Sequence, residues 1–364
     1  MTVTPENILK ALSTVDDPDL KRDLVSLGMI KDLNLDDNQV KFTVVLTTPA
    51  CPLKEIIKEA CINAIHSLVD NNLEILIHMT SEVTSIRNNS PLLPQVKNII
   101  AIASGKGGVG KSTVTANLAV ALARSGAKVG IIDADIFGPS IPTMFNCEKE
   151  RPGIIQKDGK NLIIPIQQYG VKLISIGFLS SPEDAVVWRG PMASSALRQF
   201  IGDTEWGELD YLLIDLPPGT SDIHLTLVQS VPVTGAVIVT TPQKVAISDA
   251  KKGLAMFRQP QINVPILGVV ENMAYFTPIE LPDHKYYIFG KDGGIKLAEQ
   301  YEVPFLGQLP LVQSIRESGD SGYPAILKDD LSSEAFNILS QNLARQVAIR
   351  NAKLERTKKV EYKV

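Results

Sequence analysis

The chain of 364 residues is 44% hydrophobic and 21% charged, with 36 basic and 40 acidic side chains for a formal net charge of −4. This composition is ordinary for a folded protein of about two domains; it excludes a disordered chain and gives no general electrostatic reason to expect a nucleic-acid partner. No run of about 18 apolar residues occurs, and Met1-Thr2-Val3-Thr4-Pro5-Glu6 lacks the basic and apolar regions of a secretory signal, so the expectation is a cytoplasmic protein with no membrane span.

Residues 1–87 read as a small α+β unit. A helix-like start, Pro5 to Val15, is followed by an alternating strand at Val40 to Leu46, a helical pattern at Leu53 to Val69 and a last strand at Glu74 to Thr80. Residues 88–96 have the turn and proline chemistry of a linker, from Asn88-Asn89-Ser90-Pro91 to Pro94. Residues 97–350 then alternate strands with helices, with strand candidates at 99–103, 129–132, 171–176, 211–214, 235–240 and 266–270. Such near-continuous apolar strands predict an α/β domain with a mostly parallel sheet covered by helices on both faces. The stretch from Arg350 to Lys359 is basic without a broad apolar face, so 351–364 is expected to be a solvated tail.

The first strand of the α/β domain runs into Gly105-Lys106-Gly107-Gly108-Val109-Gly110-Lys111-Ser112, and a helical pattern from Ser112 to Arg124 follows, stopped by Gly126. Strand, glycine-rich loop and helix in that order make a phosphate-binding loop. Its glycines let backbone N–H groups turn inward around phosphate, Lys111 reaches the β and γ oxygens, and the Ser112 hydroxyl is suited to ligate Mg²⁺. Lys106, one position after the opening glycine, is an additional lysine that an ordinary loop of this kind lacks.

Acidic residues end two of the neighbouring strands, where open α/β sheets bind ligands. Asp215 follows Tyr211 to Ile214 and is suited to hold Mg²⁺ through a coordinated water. Asp133 and Asp135 follow Val129 to Ile132; Asp135 is the choice for positioning the attacking water, with Asp133 the alternative or a member of the metal's shell. Asn272, just after Ile266 to Val270, offers a paired donor and acceptor for an adenine edge; a turn-stabilising asparagine is the competing reading.

Lys106 to Ser112, Asp133-Ala134-Asp135 and Asp215-Leu216-Pro217-Pro218-Gly219 resemble the deviant Walker A ATPases, whose members include MinD, ParA and nitrogenase iron protein. The resemblance implies that two subunits sandwich ATP, each extending the lysine at the position of Lys106 to its neighbour's phosphates. Asp135 to Ser140, Val187 to Met192, Asp215 to Thr220 and Thr241-Pro242-Gln243 look like one branch, the Mrp-like or ApbC-like iron-sulfur cluster carriers, over residues 97–345. Val15 to Pro18, Leu24 to Ile30 and Thr47 to Pro52 resemble the small domain of iron-sulfur assembly factors. The resemblance therefore implies a slow, dimer-coupled ATPase that binds an iron-sulfur cluster, of [4Fe-4S] type, and transfers it to apo-proteins. A MinD- or ParA-like scaffold without metal cargo is the alternative.

The chain departs from that pattern in its cysteines. The family usually places a Cys-x-x-Cys pair after the segment that here reads Glu271 to Phe276, yet no cysteine follows Cys147. An electron donor like nitrogenase iron protein is disfavoured for the same reason. His284, Glu280 and Asp283 are conceivable replacement ligands, but they read better as a solvated polar loop. Cys51, beside Pro52 at a strand-to-helix turn, is the candidate cluster ligand, because a helix N-terminus favours thiolate; a buried small hydrophobe is its competing reading. Cys61 fits a helix interior and Cys147 a loop, and the three are too scattered for a disulfide framework. Arg189 is left between packing and function.

Overall fold

A computed structural model describes residues 3–36, 38–87, 92–157, 159–178, 190–278, 280–281, 283–328, 330–355 and 357–360. The chain divides into two compact units, Met1–Thr84 with Ala348–Leu354, and Ser85–Val347 with Glu355–Val364.

In the first unit, helix α1 (Pro5–Leu12) begins where extended Thr4 accepts the Asn7 N–H at 3.3 Å and Pro5 fills the first turn. Two short paired strands, β1 (Asp16–Asp17) and β2 (Arg22–Asp23), lead to β3 (Ile30–Asp36), β4 (Gln39–Leu46), α2 (Lys54–Leu68) and β5 (Glu74–Ser81). The sheet has the order β3-β4-β5. Its first pair is antiparallel and its second parallel. A parallel neighbour requires a crossover, and α2 supplies it. The alternation in β4 buries Val40, Phe42, Val44 and Leu46 with Ile57, Cys61 and Ile65 of α2, so period-2 and period-3.6 patterns meet in one core.

The second unit contains β6 (Val96–Ala103), α3 (Lys111–Arg124), β7 (Val129–Asp133), α4 (Ile141–Met144), the hairpin β8 (Gly153–Lys157) and β9 (Lys160–Ile164), β10 (Ile166–Gln168) and β11 (Val171–Ser175). It continues with α5 (Gly190–Gly202), β12 (Leu209–Asp215), α6 (Asp222–Ser230), β13 (Gly235–Thr240), α7 (Lys244–Arg258), β14 (Ile266–Glu271), α8 (Gly293–Gln300), β15 (Phe305–Gln308), α9 (Gln313–Ser321) and α10 (Leu331–Lys353). Eight strands form one sheet in the order β10-β11-β7-β12-β6-β13-β14-β15. Every neighbour is parallel except the edge pair β10–β11. The six strands expected from sequence all lie in it. The short edge strands β10 and β15 and the solvent-exposed β8–β9 hairpin escape a search for apolar runs, because each is too short or too wet to leave one. Centrally placed β6 and β12 are apolar on both faces, as a doubly covered sheet requires.

Two boundaries differ from expectation. Asn88 to Pro91 of the expected linker lie outside the described residues, but its last residue already belongs to β6, and Arg87 donates to the carbonyls of Leu92, Leu93 and Val96. The expected tail boundary at 350/351 falls inside α10. Asn351 donates to the Thr84 carbonyl at 3.0 Å, and Val360 is buried with its N–H on the Val228 carbonyl at 3.1 Å. Charge composition hides these anchors, since one amide and one valine do the holding. Among the described residues no helix is long and apolar enough to cross a membrane.

Leu212, wholly buried in β12, tests this core. Leu212→Ala should lower the unfolding free energy by about 2–5 kcal/mol in urea titrations, through lost transfer energy and the cavity left behind.

A candidate phosphate-binding site at the carboxyl edge of the sheet

The loop from Gly105 to Gly110 connects β6 to α3 at the carboxyl edge. Gly105 must be glycine, because a Cβ there would overlap the Asp249–Ala250 backbone of α7. Gly110 caps α3 with φ of 77°, the left-handed region that glycine enters without strain, and a Cβ would strike the Asn272 amide. The N-terminus of α3 therefore opens onto the loop, and first-turn N–H groups of a helix have no carbonyl partner within the helix, the arrangement that favours phosphate.

Strand register assembles the carboxylates. Asp215 at the end of β12 stands opposite Asp133 at the end of β7, and Asp133 stands opposite Ser175 at the end of β11. Asp215 is fully buried, and its charge is satisfied from the first turns of α3: the Ser112 hydroxyl donates to Oδ2 at 2.6 Å, the Thr115 hydroxyl to Oδ1 at 2.7 Å, and the Lys111 ammonium lies 2.9 Å from Oδ1. Such a buried charge is tolerable only with this degree of pairing. Asp133 receives the Ser175 hydroxyl at 2.9 Å and the N–H groups of Ile141 and Asp135, each at 3.3 Å. Burial, then the adjacent Asp215 charge, push its carboxyl up to about 7. Asp135 is also raised, first by burial, with Lys111 opposing; its Oδ2 lies 3.7 Å from the Lys111 ammonium.

The loop encloses a cleft of about 190 Å³ lined by Lys106, Gly108, Lys111, Ser112, Asp135 and Pro218, among others. The two lysines differ sharply: Lys111 is 6% exposed and lies against Asp215, whereas Lys106 is exposed at the rim. Asp135 lines the cleft, whereas Asp133 is fully buried. Ser112 and Asp215 place hard oxygen donors side by side, a donor set that suits Mg²⁺.

Asn272 is buried, and its amide nitrogen donates to the Val109 carbonyl at 2.8 Å, tying the end of β14 to the phosphate loop. Beyond it, Tyr275, Phe276, Pro310, Val312, Gln313 and Leu339 contribute to a groove of about 760 Å³. Thr115 and Ser175 were missed from sequence. Thr115 was recoverable, being one helical turn after Lys111 and on the same face; Ser175 depends on strand register.

The loop after β14 is closed by a reciprocal Phe276–Tyr286 backbone pair at 2.8 Å. Glu280, Asp283 and His284 are exposed on it, and no group of three metal-ligating side chains converges among the described residues. Cys51 is half-buried between β4 and α2; Cys61 and Cys147 are buried, and burial pushes each thiol up to about 12. Arg189 lies outside the described residues.

Fold and site together define a P-loop NTPase unit preceded by a small α+β unit. Residues 95–348 match the family described as NUBPL iron-transfer P-loop NTPase, and residues 5–75 match the iron-sulfur cluster assembly protein family. The chain belongs to this iron-transfer family of P-loop NTPases. It is 46% identical to the iron-sulfur cluster carrier protein of Synechocystis sp. over 95% of this chain and 99% of that protein. It is 47% identical to the protein of the same name from Deinococcus radiodurans, over 94% and 95%. A solved nucleotide-binding protein in complex with ADP from Archaeoglobus fulgidus is 41% identical with a TM-score of 0.56, covering 65% of this chain and 91% of that one.

Gly105→Ala should weaken ADP binding by at least about tenfold in calorimetric titration, since the loop must move off α7 to admit the methyl group. Asp133 gives a pH test in metal- and nucleotide-free protein. Its ordinary value is 3.8 and its folded value about 7, so between these the folded state keeps a proton that the unfolded chain has released, and its contribution to stability declines as pH rises. Urea titrations from pH 4 to 7 should show the stability of Asp133→Asn, relative to the parent, increasing with pH.

Proposed function

We propose that this chain is an ATP-hydrolysing carrier that binds iron-sulfur clusters and transfers them to apo-proteins in the cytoplasm, working as a homodimer closed around nucleotide. The observation that carries this reading is the contrast between its two loop lysines. Lys111 is buried against Asp215, placed to meet phosphate within its own subunit. Lys106 projects from the rim, available to a neighbouring subunit's phosphates.

In this reading the N–H groups of Gly107, Gly108, Val109 and Gly110 cradle the phosphates, with Gly105 fixing the loop on α7. Ser112 and Asp215 hold Mg²⁺, which when bound offsets charge on the β and γ oxygens. Asp135, open to the cleft beside Lys111, orients the attacking water. The adenine edge meets the side-chain amide of Asn272, whose paired donor and acceptor suit it. Lys106 brings its cation to developing charge in trans, a role worth roughly 10³–10⁵-fold when an arginine finger performs it. Hydrolysis is slow because closure and opening of the dimer is the useful event.

The cargo is a cluster, of [4Fe-4S] type, with Cys51 as a ligand. The family match of both units supports an iron-sulfur cargo, and the half-buried setting of Cys51 just before α2 supports its choice as a ligand.

Lys111→Ala should abolish ATP binding or turnover, and Lys106→Ala should retain binding while losing turnover and ATP-dependent dimerisation in sedimentation; equal behaviour of all three proteins refutes these roles. Anaerobic reconstitution should yield a chromophore with iron and sulfide that moves to an apo-acceptor, and Cys51→Ala should lose it. Absence of iron and sulfide in the parent under every condition would leave the nucleotide-switched scaffold reading.

A further inference from the structure

The segment between β12 and α6, Leu216 to Ser221, joins Asp215 to the first turn of a helix, and its Pro218 lines the phosphate cleft. Several polar contacts pin this segment: the Leu216 N–H donates to the Ile102 carbonyl at 3.0 Å, the His224 N–H donates to the Ser221 carbonyl at 3.0 Å, and the Ser221 hydroxyl lies 3.2 Å from Nδ1 of His224. The Gly219 N–H donates to the Ser104 carbonyl at 2.8 Å, tying it to the start of the phosphate loop. The Ser221 N–H donates to Nδ1 of His224 at 3.2 Å, tying its far end to α6. His224 is 1% exposed, and its ring sits 6.4 Å from that of Phe257 on α7, the helix on which Gly105 rests.

Because Nδ1 accepts, the neutral imidazole carries its proton on Nε2. Burial pushes the group down to about 4, so it stays neutral near neutral pH. Among the described residues Nε2 has no partner. An unpaired buried donor costs stability, and an apolar side chain of similar size would avoid that cost. A capping residue at this turn does not require an imidazole either, since a glutamate or glutamine serves commonly. The histidine is thus poorly accounted for by folding alone, while the segment it holds borders both the cleft and Asp215. Stability given up at a site of this kind is characteristic of functional positions.

We infer that His224 is a positioning residue for ATP hydrolysis: its Nδ1 holds the Ser221 end of the segment whose other end carries Asp215, keeping Pro218 and Gly219 against the phosphate cleft. The inference rests on the ATPase reading above. His224 touches no phosphate; it acts through the backbone of Ser221.

The test compares the full-length parent with His224→Leu, which removes both the acceptor and the unpaired donor, and His224→Asn, whose side-chain oxygen can stand where Nδ1 does. His224→Leu should unfold at a temperature no lower than the parent and bind ADP within about threefold, yet hydrolyse ATP at least about tenfold more slowly in kcat. His224→Asn should restore kcat to within about threefold of the parent. Hydrogen exchange at Gly219 to Ser221 should be faster in His224→Leu than in the parent with ADP bound, whether or not ATP turns over. A His224→Leu protein with parental kcat and exchange overturns the inference. So does His224→Asn as slow as His224→Leu, or a loss of stability and ADP binding in step with kcat. A parent that hydrolyses no ATP refutes the ATPase reading, while the exchange comparison still decides whether His224 holds the segment.

Discussion

A single buried carboxylate constrains the whole nucleotide-binding unit. Asp215 has no access to water, so its charge must be met by protein donors, and those donors are Lys111, Ser112 and Thr115 on α3. They reach it only if β12 lies beside β6, which delivers the loop, and only if the two strands end at matching levels. The observed register does this, pairing Asp215 with Ile102 of β6 and with Asp133 of β7. The same register brings a second carboxylate next to the first, and the raised Asp133 follows from that proximity and from burial. Sheet order, loop position and site electrostatics are therefore consequences of one requirement.

The two loop lysines sit in different dielectric surroundings. Lys111 is held by Asp215 in a water-poor site, where its charge is strong and its position defined. Lys106 is exposed, where an isolated charge interacts weakly until a neighbouring surface excludes water. An exposed cation that becomes effective on burial is suited to coupling turnover with association. Rigidity beneath the loop comes from Gly105 against α7 and from Asn272 on the Val109 carbonyl, so the cleft is braced from two sides of the sheet.

The parallel β4–β5 pair with its α2 crossover leaves Cys51 at the turn before the helix, half-buried, while Cys61 faces the core and Cys147 lies in the other unit's interior with its sulfur on the Pro142 carbonyl at 3.5 Å. Of the three sulfurs, Cys51 alone combines partial exposure with a helix start. The loop from Phe276 to Tyr286 is closed by a backbone pair between its ends, and Lys285 packs over the Tyr275 ring at 4.1 Å.

The sequence by itself determined the α/β class, the six main strands, the phosphate loop and the acidic strand ends, because each is written in contiguous residues: apolar runs, glycines at set spacing, and carboxylates that close a strand. Tertiary structure alone decided which carboxylate lines the cleft and which is fully buried, since Asp133 and Asp135 are separated by strand register and by the path of the chain to Ile141. It also ties Asn272 to the phosphate loop, by bringing the end of β14 within reach of the Val109 carbonyl. Short edge strands, the anchor at Val360 and the setting of His224 were equally invisible, for they depend on contacts between distant segments that leave no local periodicity. Local chemistry names the groups of this site; the packing of strands and helices assigns each its partner, its exposure and hence its charge.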